Sequence, residues 1–144
     1  MAQKHENDVS YLIRKAAYTI HTTLGPGLLE SVYETLLCHE LRKLGLKVET
    51  QVALPVLYDG LKLENGFRMD LVVEDLVVVE LKSVETLLEV HHMQLVTYLK
   101  LSGYRLGLLI NFNVPVIKAG IFRKVNGLPE QSASSAQPSA PSAG

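Results

Sequence analysis

The sequence predicts an α/β domain: a mixed β-sheet with helices on both faces. Three observations lead there. Two segments of helical spacing come first and three of strand spacing follow, then one more helix and two closing strands. The segment Leu76–Val79 is apolar at every position, which fits a central strand covered on both faces. Asp59-Gly60 is a hairpin signal between two strand-like runs.

In chain order, Val9, Leu12, Ile13, Ala16, Ala17 and Ile20 form one face of a helix over 9–24, which GPG at 25–27 breaks. A second helix is expected from Leu28 to Leu44, with Gly45 as its left-handed cap. LKVETQVALPVLY (46–58) reads as a strand, and its Pro55 implies an edge or a bulge. Strands follow at 63–73 and 76–82, then a helix at 86–102 ending at Ser102-Gly103. YRLGLLINF and VIKAGIFRKV read as two closing strands around a turn at Asn113–Pro115. One domain is expected over 1–128, and a disordered Ser/Ala/Pro-rich tail over 129–144, which lacks large apolar side chains.

The 144 residues suffice for one core. With 14 Lys+Arg against 15 Asp+Glu, the charge balance argues against a protein that coats duplexes through phosphate contacts alone. The polar MAQKHENDVS start lacks a signal-peptide core, and no apolar run is long enough to span a membrane. Cys38 is the single cysteine, so a reducing cytoplasm is the expected compartment. It reads as a packing residue.

RMDLVVEDLVVVELKS, from Arg68 to Ser83, places Asp70, Glu80 and Lys82 among leucines and valines. Glu80 and Lys82, two apart on a strand, share a face. Asp70 joins them only if the loop is three residues long, 74–76; a two-residue loop at Glu74-Asp75 sets Asp70 opposite Val79. Convergent carboxylates repel and resist burial, and a divalent cation with hard oxygen ligands, Mg²⁺ or Mn²⁺, resolves both problems. Such an ion can polarise a phosphoryl group and acidify a bound water, with Lys82 orienting the water or stabilising negative charge. A salt bridge of Lys82 with Asp70 or Glu80 is the competing account, and the pattern alone leaves both open.

The spacing of Asp70 and Glu80-Leu81-Lys82 resembles the core of the PD-(D/E)xK nuclease superfamily, although Met69 stands where that name has proline. Gly27-Leu28-Leu29-Glu30-Ser31-Val32-Tyr33 resembles the signature of the GxxExxY family within it. LGPGLLESVYE, ELKSVE, QLVTYLKLSG and GLLINF are similar to that family in the same order, over about Ile20 to Val125. The resemblance implies a restriction-endonuclease-like fold and a metal-dependent nuclease. It assigns Asp70 and Glu80 as principal metal ligands, Glu30 as an extra acid from a helix, the Leu81 carbonyl as a further ligand and Lys82 as the catalytic lysine. Gln94 and Tyr98 match the QxxxY helix motif of the RecB-like branch, which lies near the site and helps hold nucleic acid.

From the residues alone, Gln94 and Tyr98 are four apart and share a helix face, which His91 extends. Adjacent His91 and His92 point to different faces, which speaks against a zinc site. Glu30 is also explained as an acid favoured at a helix N-terminus. Tyr33 is expected half-buried with one hydroxyl partner, Gly25 and Gly27 as turn formers, and Arg42, Lys43 and Lys47 as a solvated helix end. The leading expectation is a Mg²⁺- or Mn²⁺-dependent nuclease acting on DNA or RNA. The competing ones are a non-catalytic nucleic-acid-binding or protein-interaction module with the same fold, and a purely structural protein with buried ion pairs. No residue decides the oligomeric state; a homodimer would pair two such centres.

Overall fold

The computed structural model describes residues 4–129. The first three residues lie outside that span, as does the expected tail from residue 130 onward. Helices α1 (Glu6–Leu24) and α2 (Glu30–Lys43) precede strands β1 (Val48–Tyr58), β2 (Leu61–Val73) and β3 (Val77–Lys82). Helix α3 (Glu89–Ser102) leads to β4 (Leu106–Asn111) and β5 (Ile121–Val125). The five strands lie side by side in chain order. β3 and β4 run parallel, joined through α3, and the other neighbours are antiparallel.

β3 is the middle strand, as its unbroken apolar run requires. Leu71, Val73, Val77, Val79 and Leu81 bury under α1 and α2; Val72 and Val78 bury on the face covered by Leu95, Tyr98 and Leu99 of α3. Each such side chain, removed from water, contributes roughly 1.5–3 kcal/mol. Helices thus cover both faces. No helix among the described residues is long and apolar enough to cross a membrane.

The ends of the elements follow local chemistry. Gly45 takes a φ of 82° after α2, and the Leu46 N–H reaches back to the Leu41 carbonyl at 3.1 Å. Arg42, exposed as expected, also donates to the Val48 carbonyl at 2.9 Å and ties the end of α2 to β1. Pro55 lies on an edge strand and inside the register shift between Leu54 and Val56, so both expectations for it hold. Only the second half of VIKAGIFRKV is strand. Ile117–Gly120 forms a 3₁₀ turn, because Ile117 is drawn into the core and Gly120 passes so close to the Asn111 carbonyl that a Cβ would collide with it.

Tyr33 is wholly buried, with two hydroxyl partners in place of the expected one. Its Oη donates to the Gly25 carbonyl at 2.6 Å and accepts from the Leu28 N–H at 3.2 Å. Its ring stacks on Phe112 with centroids 4.2 Å apart and planes 6° from parallel. The side chain therefore fixes the α1–α2 loop from below. Tyr33→Phe leaves a carbonyl and an N–H without partners, and we expect a loss of about 1–3 kcal/mol in urea unfolding. An unchanged unfolding midpoint would show that the loop is held by something else.

Candidate metal centre between β2 and β3

The register decides the fate of the acids. Leu71 pairs with Val79, Val72 with Val78 and Val73 with Val77, so the connecting loop is the three residues 74–76 and Asp70 comes level with Glu80. The ladder stops there. In its place, the Asp70 N–H donates to Glu80 Oε2 at 2.8 Å, and the Leu81 N–H donates to Asp70 Oδ2 at 2.9 Å. Each carboxylate satisfies a backbone donor that the interrupted ladder would otherwise orphan. The cause lies in the pleat. Leu71 packs under α1 and α2 while Met69, two residues earlier, packs with the α3 cluster, so the alternation of β2 breaks at Asp70. Across from it on β1, Gln51 takes a left-handed φ of 50°.

The electrostatics are those of crowded, desolvated acids. Glu80 is only 6% exposed. Burial, and after it the Asp70 charge, push its carboxyl up to about 8, against the smaller lowering by the Asp70 N–H and Lys82. Burial also raises Asp70, opposed by the Leu81 N–H, Gln51 and Lys82. Lys82 ends β3 half-buried and forms no salt bridge among the described residues, so the direct ion-pair account of these charges does not hold here.

α2 brings two acids to this edge. Glu30, its first residue, accepts from the Ser83 N–H at 3.3 Å, and the Ser83 hydroxyl donates to the Leu28 carbonyl at 2.5 Å. These bonds tie the start of α2 to the chain just beyond Lys82. Asn111 holds the same chain from the other side, pairing with both the N–H and the carbonyl of Val84 at 3.0 Å. A cleft of about 550 Å³ opens beside Glu30, Ser31, Ser83 and Asn113.

Glu34, one turn further along α2, was not singled out from the sequence. Gln51 Nε2 donates to Glu34 Oε1 at 3.0 Å and approaches Asp70 Oδ1 at 3.4 Å, bridging the two acids. Burial and then Asp70 raise the Glu34 carboxyl. Its legible signal was the four-residue spacing from Glu30, which puts both on one helix face. Gln51 and Ser83 gave no such signal.

Of the α3 residues, Tyr98 is buried, its ring 5.2 Å from that of Phe67. Burial, and after it the charges of Glu80 and Asp70, push its phenol up to about 12. Gln94 is half-buried within α3, and its side chain makes no hydrogen bond among the described residues. His91 Nδ1 accepts from the Leu88 N–H at 3.0 Å, a local bond that closes the start of α3.

A hard-oxygen donor set with raised carboxyl pKa values fits a cation such as Mg²⁺ or Mn²⁺ in chemistry. The Leu81 carbonyl leaves the strand on the same edge as its N–H, toward Asp70. Among the described residues, no three His, Cys, Asp or Glu side chains already form an ion-holding cluster. Asp70 and Glu80 each commit one oxygen to a backbone N–H; of the other two, Asp70 Oδ1 meets only Gln51 at 3.4 Å and Glu80 Oε1 meets no donor among the described residues.

No curated protein and no solved structure matches the chain. A sequence model described as the PD-(D/E)XK nuclease superfamily matches residues 7–124, from α1 into β5, and spans all the acids named above. The five-stranded mixed sheet with helices on both faces has the restriction-endonuclease-like α/β architecture. With the greater part of its length matched, the chain belongs to the PD-(D/E)XK nuclease superfamily.

Proposed function

We propose that the protein is a Mg²⁺- or Mn²⁺-dependent nuclease that hydrolyses phosphodiester bonds of DNA or RNA. The observation that carries this reading is the crossed pair of Asp70 and Glu80, two desolvated acids side by side with raised carboxyl pKa values and no cationic partner in contact. In it, Asp70 and Glu80 hold the metal with the Leu81 carbonyl, and α2 completes the set with Glu30, Glu34 or both. The ion, when bound, supplies Lewis-acid polarisation of the phosphoryl group and an acidified water. Lys82 orients the attacking water or stabilises the negative charge that develops on the phosphoryl oxygens. Gln94, Tyr98 and His91 line the α3 side of the path taken by nucleic acid. The reading takes residues 1–128 as one domain in the cytoplasm, and a homodimer as the form that would cut both strands of a duplex.

The test is incubation of the full chain with mixed DNA and RNA in Mg²⁺ or Mn²⁺. Wild type should cleave, and Lys82→Ala should lose about a hundredfold or more in rate at unchanged stability. Equal rates for the two proteins would refute the catalytic role of Lys82. The crossed hydrogen bonds also favour a second reading, in which the acids serve only to tie β2 to β3 and the fold binds nucleic acid or a protein without cutting. Retention of nucleic acid by wild type in Mn²⁺ with no cleavage would select it.

A further inference from the structure

The β1–β2 hairpin runs out past the rest of the sheet. β2 pairs with β3 only through Leu71, Val72 and Val73, so residues 61–69 have β1 as their sole strand neighbour among the described residues. From Pro55 to Gly66 every residue is exposed except the half-buried Val56. Asp59 and Gly60 close the arm with φ of 51° and 79°, the left-handed pair of a two-residue hairpin turn. The register sets Val56 opposite Leu63 and Tyr58 opposite Leu61, and opposite residues share a face. That face is apolar: Tyr58, Leu61 and Leu63 are 76%, 59% and 50% exposed. Leu57, Lys62 and Glu64 alternate onto the other face, where Lys62 pairs with Glu64 at 3.7 Å. A two-stranded ribbon is marginally stable alone in water, and this one turns three large apolar side chains to solvent.

We propose that this face docks on the same face of a second copy of the chain, about a two-fold axis. A two-fold brings like residues together, so a self-complementary patch carries no charge at its centre. Val56, Tyr58, Leu61 and Leu63 meet that condition. The three exposed side chains leave roughly 350 Å² open on each arm, within the size range of functional apolar patches. Two such faces with their polar rims reach about 1,000 Å², the least that a specific interface buries. Pro55 has no N–H and lies on the free edge of β1, which disfavours strand addition there and favours packing face to face. Nucleic acid fits worse, because the arm carries Asp59 and Glu64 against Lys62 and a surplus of acid repels phosphate. Asp70 lies level with Glu80, so the arm leaves the sheet at the end of β3 that carries Lys82. A dyad through the arms therefore turns both carboxylate centres toward it. The pairing gives the proposed homodimer its surface and rests on that reading for its use, but it needs neither metal nor substrate to form.

Sedimentation of the full chain in EDTA, at about 1 to 200 µM, reads the association. Wild type should shift from one chain to two across that range. Leu61→Lys and Leu61→Glu each place a like charge on both sides of the dyad. Each should weaken association by about thirtyfold or more while keeping the wild-type circular dichroism. An equimolar mixture of the two should recover the dimer, because the charges at the dyad are then opposite. Wild type that stays monomeric to about 200 µM overturns the surface. If that monomer binds a single-stranded oligonucleotide and Leu61→Glu does not, the arm belongs to nucleic acid instead. A dimer that both variants retain overturns the surface too, by placing the interface elsewhere. Variants that dissociate and do not recover on mixing overturn it as well, since Leu61 then acts through the shape of its own arm. Leu61 lies outside the carboxylate centre, so a monomeric result leaves the cleavage test untouched, and failure of cleavage leaves a measured dimer standing.

Discussion

Asp70→Asn is expected to abolish metal-dependent cleavage, by about a thousandfold or more, without harming the metal-free fold. The amide keeps an oxygen where Asp70 Oδ2 accepts from the Leu81 N–H, and the bond it gives up is the long 3.4 Å one from Gln51 Nε2, which then faces an NH2. What it removes is a negative charge that raises both Glu80 and Glu34. The metal-free variant should therefore melt at or above the wild-type temperature. Addition of Mg²⁺ should raise the melting temperature of wild type, because an ion bound only by the folded state stabilises it, and should leave Asp70→Asn unmoved. Unfolding of the metal-free variant would instead make Asp70 a structural clasp between β2 and β3. The nuclease reading would then stand on superfamily membership alone.

The element order was readable because each segment carries its own period. The helix faces of α1 and α2, the alternating β1 and the doubly covered β3 are all local patterns, and β3 is indeed the middle strand. The distance between Asp70 and Glu80 was harder. The sequence reduced it to a choice between two loop lengths, and a long-range contact makes the choice. Glu74 and Asp75 both adopt left-handed φ angles, 55° and 54°, which is uncommon outside glycine. Lys47 holds Glu74 there: its N–H donates to Glu74 Oε2 at 2.6 Å, and its carbonyl accepts from the Glu74 N–H at 2.8 Å. No period within 68–83 contains that information.

The same limit explains the residues that were missed. Gln51 joins the acids because the pleat of β1 reverses at it, a feature of pairing with β2 that its polar neighbours conceal. Glu34 had a signal in its spacing from Glu30, but its contact with Gln51 depends on how α2 packs against β1, which no local pattern carries. Tyr33 was underestimated because its partners, Gly25 and Leu28, lie in a loop whose path depends on the tyrosine itself.

Metal-free protein should lose stability as pH rises through neutrality, by several kcal/mol at most. The Glu80 carboxyl stands at about 8 in the folded state against 4.5 as its ordinary value. The folded state therefore binds the proton more tightly, and stability falls with pH wherever the folded state holds more protons than the unfolded one. This contribution is complete below about 4.5, declines between the two values and is gone above about 8. Asp70 and Glu34, also raised, act in the same direction. Glu6 acts in the opposite one, because Arg105 overcomes its burial and lowers it, but its contribution is lost only on acidification below the ordinary carboxylate range. A gap of this size at a buried group corresponds to roughly 2–5 kcal/mol. Urea unfolding in EDTA at several pH values between 5 and 8.5 reads the slope directly. Glu80→Gln keeps an oxygen for the Asp70 N–H and removes the titrating group, so it should flatten the curve and exceed wild type in stability at the alkaline end. Saturating Mg²⁺ should flatten the wild-type curve too, because the ion takes the place of the proton and releases it. A metal-free curve that is level from pH 5 to 8.5, and that Glu80→Gln does not alter, would mean that Glu80 is solvated as an ordinary carboxylate and that the crossed acids carry no stored repulsion for a cation to relieve.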